Sequence, residues 1–383
     1  MKKNKISIIG AGNAGCISAL KLLELRETNN SSIGEIEIYY DPNIPIERVG
    51  QGNTIPVHEL IFDTLGINWV TNNPIKATIK QGIRYKNWGK NNHNFFHPFW
   101  SGEVSCHYVP NLLSKEFLKS GYFKVIEKNI TDPESEIDSD YIIDCRGRSS
   151  DLNVEYKTLA NPLNSVILSK KNERDLNLSY TDCVATPHGW TFIIPNHDST
   201  SYGYLYNNTI TSKDNAEEDF IQRFNVQPDG YFSFNNYVAK NIWQGERTIL
   251  NGNKYTFVEP LEATSTTVYL QVVDYFDDYL NGEITKKKMN SKIKKNVKEY
   301  SNFILWHYIN GSKFESPFWQ YAQNLAENYF DNSEEFKSIL EQCIDMTSIQ
   351  LTDDHDIEYG MWPPPSIRNW YDNVVLIDKN QKK

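Results

Sequence analysis

The sequence predicts an α/β fold: a Rossmann-like core, an antiparallel sheet beside it and a C-terminal helical lobe. Three observations carry that prediction. A glycine-rich turn near the N-terminus separates a short apolar run from a helical one, and an acidic residue closes the next apolar run. Residues 180–206 alternate apolar and polar side chains and are rich in Tyr, Thr and Ile. From Val272 onward the apolar spacing becomes helical and amphipathic. At 383 residues the chain is long enough for two packed lobes, since the buried fraction of a chain grows with its size. The expected division is residues 1–270 for the core and 271–383 for the helical lobe.

Taken in order, Lys5-Ile6-Ser7-Ile8-Ile9 reads as a buried parallel strand. Gly10-Ala11-Gly12-Asn13-Ala14-Gly15 is the turn, and Cys16 to Arg26 follows with Ile17, Leu20, Leu22 and Leu23 at helical spacing. Asn29 to Gly34 reads as a polar loop, then Ile36 to Tyr40 as a second strand ending at Asp41. Asp140 to Gly147 is a third parallel strand closed by a glycine turn. Tyr275, Phe276, Tyr279 and Leu280, then Ile293, Val297, Tyr300 and Phe303, mark helical faces, and Glu334 to Cys343 a further helix. Pro363-Pro364-Pro365 is expected to end regular structure.

Composition narrows the function classes. Charged residues make up 23% and hydrophobic residues 39%, as in ordinary globular proteins. The net charge of −10 argues against a nucleic-acid binder, and Lys286-Lys287-Lys288 with Lys292, Lys294 and Lys295 reads as a solvated helix face. No apolar run reaches membrane-spanning length. The five cysteines are scattered and none has metal-ligand spacing, which predicts a reduced, cytoplasmic protein without a metal site. Met1-Lys2-Lys3, the apolar stretch and Ala14-Gly15-Cys16 superficially imitate a lipoprotein signal, but three glycines and Asn13 interrupt it. Nine Trp and 23 Tyr suit a protein that holds a planar cofactor or substrate. Abundant Asn and Lys with few Ala fit an AT-rich bacterial or phage genome.

The turn has the chemistry of a dinucleotide site. Gly10 permits the tight turn, Gly12 lets backbone approach a pyrophosphate, and Gly15 lets the helix pack on the sheet, with Asn13 and Ala14 at the helix start. The helix N-terminus offers N–H groups and partial positive charge to phosphate. Asp41 suits a ribose hydroxyl, and the polar loop absorbs its longer than usual separation from Gly15. Asp144-x-x-Gly147 and the Gly252-Asn253 pair add two more cofactor segments. Three separated segments converging on one cofactor resemble FAD monooxygenases more than simple dehydrogenases. No second GxGxxG is visible for NAD(P)H.

Four stretches extend this resemblance. They are the turn Gly10 to Gly15, the segment Ile44 to Pro56, Trp190-Thr191-Phe192-Ile193-Ile194-Pro195, and Phe257 to Thr264. A fifth, Phe303 to Trp319, reaches into the C-terminal lobe. Together they resemble the flavin-dependent halogenases of the tryptophan halogenase family. Trp190 to Pro195 is similar to the WxWxIP signature with Phe192 for the second tryptophan, and Phe257 to Thr264 to FVEPLEST with Ala263 for serine. In the segment 44–56, Gln51-Gly52 replaces the usual glutamate-alanine pair. The chain is shorter than tryptophan-specific members, so a more open substrate site is expected, with the Trp362-Pro363 neighbourhood as a substitute wall.

The resemblance implies FAD, used as FADH2, with O2 and a halide ion as co-reactants. Val49 and Gly50 would contact the flavin, and the halide would lie at Thr264-Ser265. Lys80, placed before Trp88 as in the family, would be the catalytic lysine that receives hypohalous acid; Lys76, Lys86 and Lys90 are neighbours without matching context. Ile79 and Ile83 flank Lys80 as for an interior position. Glu262 would stabilise or deprotonate the ring intermediate, leaving Glu259 structural. Trp190 and Phe192 would keep the aromatic substrate away from the flavin, with Pro195 on the same strand. His97 and Phe99 would stack on the substrate, an electron-rich indole or phenol. A separate NAD(P)H-dependent flavin reductase is the implied partner, and a homo-oligomer is compatible with the sequence. The competing readings are a flavin monooxygenase that hydroxylates an aromatic and a non-catalytic flavin-binding protein.

Overall fold

The computed structural model describes residues 3–27, 31–90, 94–99, 102–148, 154–345 and 359–375. The chain forms two compact units. One comprises residues 1–77, 105–158 and 236–297, the other residues 78–104, 159–235 and 298–383. This grouping is interleaved along the chain and differs from a linear division at residue 270, because strands distant in sequence are neighbours in each sheet.

In the first unit the strand Asn4–Ile9 lies between Ile33–Tyr40 and Tyr141–Asp144, parallel to both, with Ile8 facing Ile38 on one side and Ile143 on the other. Lys124–Glu127 extends the sheet beyond Ile33–Tyr40, and Thr248–Leu250 extends it beyond Tyr141–Asp144. Ile6, Ile8, Ile38, Ile142 and Ile143 are fully buried, as expected where helices cover a parallel sheet and its strands read as continuous apolar runs. The second strand starts at Ile33 rather than Ile36. Ile33 is apolar, buried and paired with Asn4, so the sheet claims the end of the expected polar loop. Residues 28–30 of that loop lie outside the described residues.

The opening helix is Asn13–Arg26, and Thr264–Leu280 packs against it. In the helix Lys286–Ile309, Lys287, Lys288 and Lys295 are exposed, while Lys286 lies over the Trp243 ring at 4.3 Å and Lys292 pairs with Asp278 at 3.4 Å. Tyr156–Thr158, Tyr237–Ala239 and Thr256–Phe257 form a small antiparallel sheet in the same unit.

The second unit carries a seven-stranded sheet among the described residues, with strands in the order Gly230–Ser233, Ser165–Lys171, Thr200–Tyr206, Gly189–Pro195, Thr181–Thr186, Gly82–Lys86 and Phe95–Pro98. Its pairings are antiparallel except Thr181–Thr186 with Gly82–Lys86. Ile167, Val184, Ile193, Tyr204 and Phe220 form a core cluster on it. The helices Pro317–Tyr329, Glu334–Asp345 and Pro364–Trp370 complete the unit. The triple proline thus begins a helix rather than ending structure. A first helical turn needs no N–H partner, and proline presets its φ; Ile367 and Trp370 bury this helix. No helix among the described residues is long and apolar enough to cross a membrane.

Candidate active site

A cavity of about 320 Å³ opens in the first unit beyond the C-terminal end of Asn4–Ile9, the crevice where open α/β sheets bind ligands. Gly10, Gly12, Asn13, Ala14, Asp41, Gly147 and Asn253 are in its wall. Gly15, Asp144 and Gly252 are not in the wall but adjoin residues that are. A Cβ at Gly15 would lie 1.8 Å from the Gly10 carbonyl oxygen, so only glycine lets the helix start this close to the turn. Asp144 is fully buried and accepts hydrogen bonds from Arg146 Nε at 2.9 Å and Nη2 at 2.7 Å, which shapes the turn into Gly147. A Cβ at Gly252 would meet the Ala14 Cβ at 2.5 Å. Val49 and Gly50 are not in the wall; Ile44, Pro45, Ile46 and Glu47 of the same loop are.

The wall also contains Lys128, Arg146 and Tyr269, which sequence reasoning missed. For Arg146 the signal was present inside the Asp144–Gly147 element. Lys128 follows a short strand with no distinctive pattern. The wall has the features that the pyrophosphate of a dinucleotide requires. Gly12 is the N-cap of the opening helix without a side-chain cap, and a Cβ there would have no neighbour within 4 Å. The first-turn N–H groups are therefore open to a pyrophosphate. Asp41 uses Oδ1 on the backbone and side-chain amides of Asn43, both at 2.9 Å.

The segment Tyr255 to Thr264 is mostly buried, with Glu259 fully so and Glu262 and Thr264 nearly so. Glu262 (φ 69°) and Ala263 (φ 56°) are consecutive left-handed residues. Each costs an L-residue about 1–2 kcal/mol, and such strain gathers where a site over-determines the backbone. Ser265 is helical, so no glycine is needed at that position. The turn delivers the chain into Thr264–Leu280, whose N-cap Ala263 makes no side-chain cap. Thr264 Oγ1 is buried there without a hydrogen-bond partner. An open helix N-terminus beside an unsatisfied buried hydroxyl suits a small anion. Tyr269, on the same helix, is in the cavity wall.

In the second unit the strand Thr78–Lys80 holds the lysine at the expected interior position, with Ile79 turned out: Ile79 is 38% exposed and Lys80 is 1% exposed. The isoleucine therefore points outward and the lysine inward. Lys80 Nζ lies 5.3 Å from the centroid of Phe99. Two features hold Phe99 there. Its N–H donates to the Gln81 carbonyl at 3.1 Å, and Gly82 (φ 150°) admits the His97 carbonyl, which a Cβ would meet at 2.1 Å. Thr78 Oγ1 donates to the Pro195 carbonyl at 2.6 Å, tying the lysine strand to the Trp190–Pro195 segment. Of the neighbouring lysines, Lys86 pairs with Asp182 at 2.7 Å, and Lys76 and Lys90 are exposed.

Trp88 is a core anchor, with its Nε1 donating to the Cys183 carbonyl at 3.1 Å. Trp190 is fully buried, and its Nε1 donates to Tyr308 Oη at 3.1 Å. The Phe192 ring covers Gly203, where a Cβ would stand 2.1 Å from it, and its centroid is 6.4 Å from that of Trp190. His97 is buried, with Nε2 2.9 Å from Ser366 Oγ. Trp362, the expected substitute wall, is instead a core residue stacked on Phe303 at 4.0 Å.

A family model described as tryptophan halogenase matches residues 5–122 and 117–350. The chain belongs to the tryptophan halogenase family. It is an enzyme of the flavin-dependent halogenase type. It is similar to tryptophan 7-halogenase KtzQ of Kutzneria sp. (strain 744), with 23% identity over 96% of this chain and 87% of that protein. Tryptophan 7-halogenase RebH of Lentzea aerocolonigenes is also 23% identical, over 51% of this chain and 37% of its own length. Among solved structures, a tryptophan halogenase from Shewanella frigidimarina NCIMB 400 superposes with a TM-score of 0.78 at 16% identity, covering 97% of this chain and 88% of that one. BrvH, a flavin-dependent halogenase from Brevundimonas sp. BAL3, gives 0.75 at 16% identity, covering 97% and 89%. These superpositions establish the shared fold.

Proposed function

We propose that this member of the tryptophan halogenase family halogenates an electron-rich indole or phenol, with Lys80 presenting the electrophilic halogen. The observation that carries the reading is the burial of Lys80 on a strand whose isoleucine faces outward. When bound, reduced FAD supplies the electrons that, with O2 and a halide ion, make hypohalous acid. The open N-terminus at Thr264-Ser265 and the Thr264 hydroxyl hold the halide. Lys80 Nζ donates a hydrogen bond to the oxygen of hypohalous acid and polarises its O–halogen bond, an effect that strengthens away from bulk water. An electron pair of the aromatic ring forms the C–halogen bond as the O–halogen bond breaks, and the departing hydroxide takes a proton from the ammonium and leaves as water. The Glu262 carboxylate accepts the proton lost from the ring. Trp190 and Phe192 exclude the aromatic substrate from the flavin by bulk, and His97 and Phe99 hold its plane. A separate NAD(P)H-dependent reductase supplies reduced flavin, in keeping with the single GxGxxG. Five free cysteines favour a reducing, cytoplasmic setting.

The test is incubation of the protein with FAD, a flavin reductase, NADH and chloride, bromide or iodide, against indoles and phenols that include free tryptophan, with products read by mass. Halogenated product is expected from the wild type. Lys80→Ala should yield none while flavin reoxidation continues. Halogenation that survives Lys80→Ala overturns the lysine assignment. A product heavier by oxygen would favour the hydroxylating reading, and no product with any halide the non-catalytic one.

A further inference from the structure

A line of side-chain hydrogen bonds runs from the interior of the first unit to the cavity wall. Tyr108 Oη donates to Asn13 Oδ1 at 2.7 Å, Asn13 Nδ2 donates to Gln51 Oε1 at 2.7 Å, and Gln51 Nε2 donates to Glu47 Oε2 at 3.0 Å. Tyr108 is fully buried, Asn13 is in the first turn of the opening helix, and Glu47 is an exposed residue of the wall. Gln51 and Tyr108 are also backbone partners, in the antiparallel pairing of Gln51–Gly52 with Ser105–Tyr108. The segment 42–50 between Asp41 and Gln51 belongs to no helix or strand.

The polarity of this line follows from its end group. An ionised carboxylate only accepts hydrogen bonds. Gln51 must therefore turn its NH2 toward Glu47 and its oxygen toward Asn13, which leaves Asn13 Oδ1 for the Tyr108 hydroxyl. An amide at position 51 satisfies both neighbours. A carboxylate there accepts from Asn13 but cannot donate to Glu47, and it sets two negative charges at hydrogen-bond distance. A lysine donates to Glu47 but accepts nothing from Asn13. Surrounding protein raises the Glu47 carboxyl above its ordinary range, and the Gln51 hydrogen bond acts against that rise.

We infer that Gln51 is the positioning residue of the cofactor loop: it clamps Glu47, and with it the wall segment 44–47, to the first turn of the phosphate-facing helix, and so sets how tightly the dinucleotide is held. The inference rests on the flavin reading of the cavity. Gln51 does not take part in the halogen chemistry. It fixes the loop through Glu47 and the helix through Asn13, and both of those residues face the cavity.

The experiment titrates oxidised FAD into the protein by flavin fluorescence and follows its release by stopped flow. Gln51→Glu should weaken FAD binding about tenfold or more, mainly through faster release, as expected for a lost charge-assisted hydrogen bond with a like-charge pair in its place. The melting temperature of the FAD-free variant should stay near that of the wild type. The exchange Glu47→Gln with Gln51→Glu restores the line in reversed chemistry, since the amide introduced at 47 donates to the carboxylate introduced at 51, which still accepts from Asn13. That double variant should recover binding to within about threefold of the wild type. Gln51→Glu binding FAD as the wild type does, or a double variant no better than the single, overturns the inference. A wild type that binds no FAD overturns the flavin reading itself and the inference with it.

Discussion

Ala263 has a left-handed backbone without the glycine that such a conformation favours, directly after Glu262 in the same region. Its strain is relieved by removing the Cβ, at the cost of more freedom in the unfolded chain. Ala263→Gly should therefore stabilise the protein by up to about 1 kcal/mol in urea denaturation; a clear loss would mean that the Ala263 methyl packs more than it strains. Glu37 gives a pH-dependent case. Burial opposes its charge, but hydrogen bonds from Lys124 and Lys5 outweigh burial and hold its carboxyl below the ordinary range. A depressed carboxylate contributes stability above its unfolded value, near pH 4, and loses it as pH falls through the folded value. Glu37→Gln should lower stability at pH 7, and the difference should shrink as pH falls below about 4 and through the depressed folded value. A difference unchanged at pH 3 would contradict the ion-pair account. Lys80 was singled out through the resemblance, by its place before Trp88. Ile79 and Ile83 argued for an interior Lys80 and its burial agrees, but that Ile79 itself turns outward was not legible, because an apolar side chain at that place reads as buried.

At the scale of elements, two glycines act through close approach and separate the two halves of the chemistry. Gly15→Ala would drive a Cβ into the carbonyl of Gly10, a residue of the wall of the proposed flavin cavity. It should abolish FAD binding and lower the melting temperature by several degrees. Gly82→Ala would drive a Cβ into the His97 carbonyl and displace the segment that carries Phe99 past Lys80. It should suppress halogenation at least tenfold while FAD binding by fluorescence stays near wild type, because the cavity proposed to hold the flavin is lined by residues of the first unit. Loss of FAD binding in Gly82→Ala would show that the change is a general unfolding. The strand-turn-helix was legible because each glycine in it has a distinct mechanical reason. The triple proline misled because proline closes one helix and opens another by the same two properties, a missing N–H and a fixed φ. Only the burial of Ile367 and Trp370 shows which of the two applies.

At the scale of the whole molecule, periodicity announces a strand but not its neighbour. The first unit is built from residues 1–77, 105–158 and 236–297. In its sheet Tyr141–Asp144 is bordered by Thr248–Leu250, and its opening helix packs on Thr264–Leu280. A fragment ending at residue 158 contains the glycine turn, Asp41 and the Asp144–Gly147 element, all of the cofactor fingerprint except the Gly252-Asn253 pair. It lacks Thr248–Leu250, one of the two strands that pair with Tyr141–Asp144, and the helix that packs on the opening one. Its sheet would end on a buried apolar strand with unpaired backbone groups, a template for aggregation, and its cavity would lack Asn253 and Tyr269. The fragment 1–158 should therefore neither unfold cooperatively nor bind FAD, whereas the full chain should show a melting temperature that rises with FAD concentration. Co-expression of residues 236–297 supplies the missing border strand, helix and wall residues together. Recovery of soluble, FAD-binding material only with that second piece is the expected result, and FAD binding by the fragment alone would show that the glycine turn suffices without the distant strands.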